Sequence, residues 1–232
     1  MKSGGRAAII PFGMEEFKKI VLKNRDMAIA LSLLWIYAAV LVAPRAGLDP
    51  VELAGVAANI TAVTLMRRQN VWGYIVAIFA NSLLAAYFFG AGLSGQGIVR
   101  ALYALMSGAG AYAWGRPAED GAPKKPTYLP RVWQIPIAAG LAAVVAAQIA
   151  MGRTAVGVID YASLYLSLSG ALLIMDKKVE GWILWTLVDF VNIPLFVMSG
   201  AYLNIFYHLF SIANEMAAIP EWHREARIRA RR

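Results

Sequence analysis

The chain has 232 residues, of which 59% are hydrophobic and 16% charged, with a formal net charge of +8 and no cysteine. Soluble domains carry about 25% charged residues, so the composition sets aside a soluble domain and points to an integral membrane protein. The absent cysteines exclude disulfides, thiolate metal sites and cysteine nucleophiles. The positive charge is no nucleic-acid signature, because the arginines and lysines fall between apolar runs, where topology signals lie; the expected partner is the lipid bilayer.

Residues 1–26 are basic and partly amphipathic, with Phe12, Met14, Phe17, Ile20 and Val21 interleaved with Lys18, Lys19, Lys23 and Arg25. This pattern predicts a helix lying on the cytoplasmic membrane surface. Residues 27–49 supply an extra N-terminal transmembrane helix, 27–43, and a loop. A cleaved signal peptide is the competing reading; the long charged region before the span and the context Val42-Ala43-Pro44-Arg45 speak against it.

Further spans are predicted at 50–66, 71–89, 96–114, 132–151, 158–175, 181–199 and 201–219. The fold class is therefore an all-α polytopic membrane protein of about eight transmembrane helices. A first three-helix repeat covers 50–114. A cytoplasmic linker and a linking helix cover 115–151, a second three-helix repeat 158–219, and a basic cytoplasmic tail 220–232. With eight spans, the N-terminus, the loops 67–70, 115–131 and 176–180, and the tail share one side and hold 19 Lys or Arg. The opposite loops hold only Arg45 and Arg153. That asymmetry places both termini in the cytoplasm, in an inner-membrane protein.

Sliding the chain by 110 residues lays MRRQNVWGYIVAIFANSLLAAYFFGAGL, 66–93, on DKKVEGWILWTLVDFVNIPLFVMSGAYL, 176–203. Arg67-Arg68 meets Lys177-Lys178, Trp72 meets Trp182 and Gly90 meets Gly200. Three spans per half with one linking span between them put both halves in the same orientation. Such parallel repeats mark one class of transporter, with the site between the repeats near the midplane.

Within the second half, Trp182, Trp185, Asp189 and Asn192 fall in a helical arc of roughly 80°. A charge at the bilayer centre costs at least about 2.5–3.5 kcal/mol, so Asp189 is expected to face protein or a wet cavity. Trp185, one turn deeper than Trp182, suits stacking on a flat ring or a cation. Trp72 and Trp182 also fit an interfacial belt. Asn81, Asn192, Asn204 and Gln96 either read a polar ligand or join neighbouring helices. Tyr207 and His208 lie on the last span, where His208 reads more readily as a hydrogen-bonded structural residue than as a proton relay. Arg100 has two readings: a cation snorkelling to the outer headgroups, or a pocket cation partnered with Asp189. GAGLSG at 90–95 matches a dinucleotide-binding pattern only in letters, since it follows an apolar helix rather than a strand. No catalytic residue, metal ligand or cofactor site is predicted. A membrane-embedded enzyme or a partner subunit is the reading of another class. An enzyme would need a second group converging on Asp189, and only His208 or Arg100 is on offer.

The two halves resemble the PnuC family of bacterial vitamin transporters, itself similar to the sugar-carrying SWEET proteins in its three-one-three plan. The likeness covers roughly 50–222 and rests on RRQNVWGY at 67–74, on Gly95, Tyr103 and Ser107, and most of all on KKVEGWILWTLVDFVNIPLF. The family's tryptophan pair falls on Trp182 and Trp185, and its following aspartate on Asp189. The resemblance implies uptake of nicotinamide riboside, or of thiamine, riboflavin or deoxynucleosides, by facilitated diffusion. It also implies trapping of the product by a cytoplasmic kinase, and a homotrimer. The chain departs from the family pattern at Arg100, where a glutamine is typical, at Gly181 for an asparagine, at Ala171 for a glutamine, and at Tyr74, the second aromatic of the first-half motif. Substrate-binding residues expected on these grounds are Trp182, Trp185, Asp189, Asn192, Asn81, Trp72, Arg100, Gln96, Asn204 and Tyr207.

Overall fold

Asp49 and Pro50 fix the start of the first helix that the computed structural model describes. The Asp49 carboxylate accepts the backbone N–H groups of Val51 and Glu52 at 2.7 and 3.0 Å, and Pro50 enters the first turn, where its missing N–H is not needed. The structure describes residues 47–90, 94–117, 123–199 and 202–231. The predicted surface helix in 1–26 and the span 27–43 lie outside them. Seven helices follow in the described residues: α1 Pro50–Arg67, α2 Trp72–Gly90, α3 Ser94–Gly115, α4 Arg131–Ala150, α5 Ala155–Met175, α6 Glu180–Ser199 and α7 Tyr202–Ala230. They correspond to seven of the eight expected spans. By length and composition alone, Trp72–Gly90, Arg131–Ala150 and Gly157–Met175 are long and apolar enough to cross a membrane. Polar residues interrupt the apolar character of the others, and many of these residues line the cavity between the halves.

In the first half α1 packs on α2 and α2 on α3, and in the second half α5 packs on α6 and α6 on α7. The halves then cross, α1 against α7 and α3 against α5. Helix α4 rests on α5, where the Tyr165 hydroxyl donates to the Ile137 carbonyl at 3.1 Å. Its exposed Val132, Trp133 and Ile135 suit contact with lipid.

The register of the repeat differs from the one the sequence suggested. Asn70 N donates to Leu65 O at 3.0 Å and Lys178 N to Leu173 O at 2.8 Å; Gly73 N donates to Asn70 O and Gly181 N to Lys178 O. Gln69 and Lys177 both take φ of +55°. Each pair is 108 residues apart, not 110. The basic pairs misled the alignment: the turn sets Arg68 opposite Asp176, and Tyr74, rather than Trp72, opposite Trp182. Gly73 and Gly181 are the true markers. A Cβ on Gly73 would lie 2.7 Å from Met66 N, and one on Gly181 2.8 Å from Ile174 N, so glycine alone allows the first and second helices of each half to approach this closely.

The same two-fold relation builds a reciprocal clasp at the basic end of the bundle. Trp114 of α3 donates its indole N–H to Met175 O at 3.0 Å, at the end of α5; Trp222 of α7 donates to Arg67 O at 2.8 Å, at the end of α1. Each indole thus satisfies a carbonyl that a helix C-terminus leaves without an intrahelical partner. Tyr74 meets Trp114 edge-on at 4.9 Å and Trp182 meets Trp222 at 5.4 Å, while the two clasp indoles lie 5.9 Å apart.

The segment 220–232, expected as a tail, continues α7 as far as Ala230. Pro220 does not end the helix, because Ala218, Trp222 and Ala226 form a buried stripe against the other half. Glu221 pairs with Arg67, and Gln69 donates to Glu225 at 2.8 Å. The linker is also fastened down. Thr127 bridges the α5–α6 turn through Thr127 N to Lys177 O at 3.0 Å and Val179 N to Thr127 O at 3.1 Å, and Lys124 pairs with Asp176. Lys177 is buried there, donating to Lys124 O at 2.6 Å and sitting 4.5 Å from the Trp114 ring centre.

Two stability predictions follow from this end of the molecule. Gly73→Ala and Gly181→Ala should each lower stability by about 1–3 kcal/mol through backbone overlap, whereas Gly108→Ala, in a helix interior with open space beside it, should raise it by up to about 1 kcal/mol; melting of the detergent-purified protein reads all three. Burial brings the Lys177 ammonium down to about 8 from its ordinary 10.5. Between those values the unfolded chain binds more protons than the folded one, so this lysine makes stability rise with pH across that window. The rise should flatten in Lys177→Met when melting temperatures are compared between pH 7.5 and 10.

Candidate functional site

The crossing of the two halves encloses a cavity of about 870 Å³, within the usual size range for small-molecule sites. Its lining begins at Leu48 and Glu52, where α1 starts, and at Gly157 and Asp160, near the start of α5. It ends at Met66, Met175 and Trp185. Below that floor the buried Tyr74, Trp114, Trp182 and Trp222 close the basic end.

The cavity wall repeats itself at the offset of 108. Asn81 answers Asp189, Arg100 answers His208, Phe88 answers Phe196, Gln96 answers Asn204, Glu52 answers Asp160 and Ser107 answers Glu215, all of them lining residues. Contacts repeat as well as positions. Arg100 Nη1 donates to Asn81 Oδ1 at 3.5 Å, and His208 Nδ1 meets Asp189 Oδ1 at 2.8 Å. The Arg100 guanidinium lies 5.9 Å from the Phe88 ring centre, and the His208 ring stacks on Phe196 at 5.0 Å with 20° between planes. A polar group on the second helix, a cationic or basic group on the third and an aromatic ring beside it thus form one motif, used twice.

Chemically the two copies differ. Where the first half has Ala77, the second has Trp185; where it has Asn81, the second has Asp189; where it has Ser107, the second has Glu215. Aromatic and acidic character is therefore gathered on one side, with Arg100 facing it from the other. The Trp185 indole lies over Gly170, whose Cβ would sit 2.5 Å from it, and donates to Ser167 O at 3.1 Å. Its ring position is thereby fixed while part of it lines the cavity. Asn192 accepts the Ser163 hydroxyl at 2.7 Å, and Asn204 donates to Glu52 at 3.3 Å.

Eight of the ten expected site residues line this one cavity: Trp185, Asp189, Asn192, Asn81, Arg100, Gln96, Asn204 and Tyr207. Trp182 and Trp72 do not. Trp182 is fully buried, edge-on to both Trp185 and Trp222, and Trp72 packs partly buried against the same aromatic core. Of the two readings of Arg100, the pocket position is the observed one; its side-chain hydrogen bond goes to Asn81, while Asp189 is engaged by His208. Sequence reasoning missed Glu215, Glu52, Asp160 and Ser167. Glu215 carried a usable signal: it is a carboxylate within a predicted span, seven residues after His208, which is two helical turns along one face.

Comparison with known proteins bears on what such a cavity serves. A family model described as "Nicotinamide mononucleotide transporter" matches residues 49–224. No curated protein matches the chain. Among solved structures, one described as "Crystal structure of the Vitamin B3 transporter PnuC" is similar in fold with a TM-score of 0.68, at 15% sequence identity, over 93% of this chain and 99% of that one.

The Asp189–His208 pair should behave as a coupled unit. His208→Ala leaves a buried carboxylate oxygen without its partner and should cost about 1–3 kcal/mol. Asp189→Leu with His208→Ala together should cost less than the two single changes added, which a double-mutant cycle on melting measures directly.

Proposed function

Because the chain belongs to the nicotinamide mononucleotide transporter family, a family of membrane transporters, we propose that it carries nicotinamide riboside, or a similar flat nitrogenous vitamin precursor, by facilitated diffusion. The observation that supports this most is the two-fold cavity between the repeats, where Trp185 offers an indole to a flat ring. Asp189, Asn192, Asn81 and Asn204 supply polar contacts around it. A carrier that alternates access needs a site between two units able to rock against each other, and here the halves meet around the cavity.

The charge asymmetry of the sequence orients the protein in the bacterial inner membrane with both termini and the basic end in the cytoplasm. In that orientation the cavity reaches toward the outer face and the clasp of Trp114 and Trp222 closes the cytoplasmic side, an outward-facing arrangement. Each of the seven described helices crosses the bilayer in this reading. Phosphorylation by a cytoplasmic kinase then traps the carried compound. The trimer that the family resemblance implies belongs to the same reading.

Arg100 favours a second substrate class. A guanidinium in the cavity opposes a pyridinium cation unless the nearby carboxylates offset it, and it suits a neutral or partly anionic ring such as riboflavin or a deoxynucleoside. Thermal stabilisation of the detergent-purified protein against nicotinamide riboside, thiamine, riboflavin and nucleosides tests both readings, since a ligand that binds the folded state raises the melting temperature with its concentration. The expected result is a shift with nicotinamide riboside that is lost in Trp185→Ala. A shift with riboflavin or a nucleoside alone selects the second class, and no shift with any of them overturns the proposal.

A further inference from the structure

One wall of the cavity holds more ionisable groups than stacking a ring requires. Glu215, Asp189 and His208 are 2%, 6% and 5% exposed, and all three line the cavity. His208 Nδ1 and Asp189 Oδ1 pair at 2.8 Å. Asp189 Oδ2, Glu215 Oε2 and His208 Nε2, all buried, have no hydrogen-bond partner among the described residues. Glu215 also interacts with Asp189 and with the Thr186 hydroxyl.

The surroundings set the charge balance. From α3, Arg100 and Tyr103 face the Asp189 carboxylate; from α7 itself, Tyr207 and Ser211 do so. Helix α5 contributes the Ser167 hydroxyl beside Tyr103, and α1 contributes Asn59 to the lining. Glu52 and Asp160 lie farther along, in the opening turns of α1 and α5, where Glu52 takes a hydrogen bond from Asn204. The deep set therefore joins one fixed cation, Arg100, to two carboxyl groups. A buried site with an unbalanced charge is costly, and two carboxyl groups buried on one wall beside a single cation do not both stay ionised. One proton on the set closes the balance.

We propose that the two carboxyl groups Asp189 and Glu215, with His208 bonded to Asp189, together hold one exchangeable proton, and that a permanently cationic substrate displaces it on binding. The inference rests on the reading of this cavity as the substrate site. The exchange is balanced: the cation brings one positive charge, one carboxyl O–H bond of the set breaks, the proton passes to water in the cavity and returns from water when the cation leaves, and no bond of the substrate changes. The proton belongs to the coupled set rather than to one atom, so the count of one, not its address, is the claim. Loaded and empty sites then carry the same charge, and Arg100 ceases to be an obstacle to a pyridinium ring.

Calorimetric titration of the full-length protein with nicotinamide riboside, repeated in buffers of different ionisation enthalpy and from pH 5.5 to 8.5, tests this. The neutral, reduced dihydronicotinamide riboside serves as the comparison ligand. The expected result is release of close to one proton by the cation, with affinity falling about tenfold per pH unit on the acid side, and no release by the reduced compound. Glu215→Gln should bind the cation more weakly, without proton release and without pH dependence. The wild-type proton count stands as a test even if that variant does not fold. Binding of the cation with no proton released and a flat pH profile overturns the proton exchange but leaves the cavity as the site. Failure of both ligands to bind overturns the reading of the cavity, and the exchange with it.

Discussion

Two indole N–H groups set how the halves of this protein are turned against each other. Trp114 and Trp222, 108 residues apart, each leave the third helix of one repeat to bond the last carbonyls of the other repeat's first helix. A helix C-terminus buried at an interface needs such partners, and a net hydrogen bond contributes only about 0.5–1.5 kcal/mol, so strength alone does not explain the arrangement. Its weight lies in direction. The two bonds fix how one three-helix unit is turned against the other, and hence where the facing walls of the cavity stand.

From that relation the rest follows by symmetry, and function enters where symmetry is broken. The same scaffold positions carry Ala77 and Trp185, Asn81 and Asp189, Ser107 and Glu215. A cavity built from two equal walls would suit a two-fold object; these unequal walls suit one whose two ends differ. The clasp lies at the end of the bundle away from the cavity mouth, so any motion that opens the basic end has to break or pivot about Trp114 and Trp222. Helix α7 matters doubly, since it carries His208 and Glu215 in the wall and Trp222 in the clasp.

Much of this was legible in the sequence, for reasons specific to membranes. Within a bilayer an apolar run of roughly 17–25 residues has to be a helix and every interior charge has to face protein or water, so the seven described helices and the inward placement of Asp189 could be read directly. Basic pairs and tryptophans are weaker guides because the membrane interface also selects them. That pressure drew the repeat alignment two residues out of register, when the close helix approach at Gly73 and Gly181 is what the two halves share; Trp182, expected in the site from its helical arc and the family's tryptophan pair, packs behind the cavity lining. The tail escaped for a related reason. Its many arginines suggested solvent, while Ala218, Trp222 and Ala226 recorded the buried stripe that keeps it helical. Glu215 lies on another helix from the tryptophan–aspartate stripe, so the spacing within that stripe did not reveal it.

Uptake of labelled nicotinamide riboside into proteoliposomes tests the central claim, a substrate site between two rocking repeats, most directly. At matched pH and zero membrane potential the account predicts saturable entry that needs no imposed ion gradient, stops when inside and outside concentrations match, and is lost in Trp185→Ala while the protein stays folded. Folded protein that admits no more labelled compound than empty liposomes, or that admits it equally well in Trp185→Ala, would contradict it.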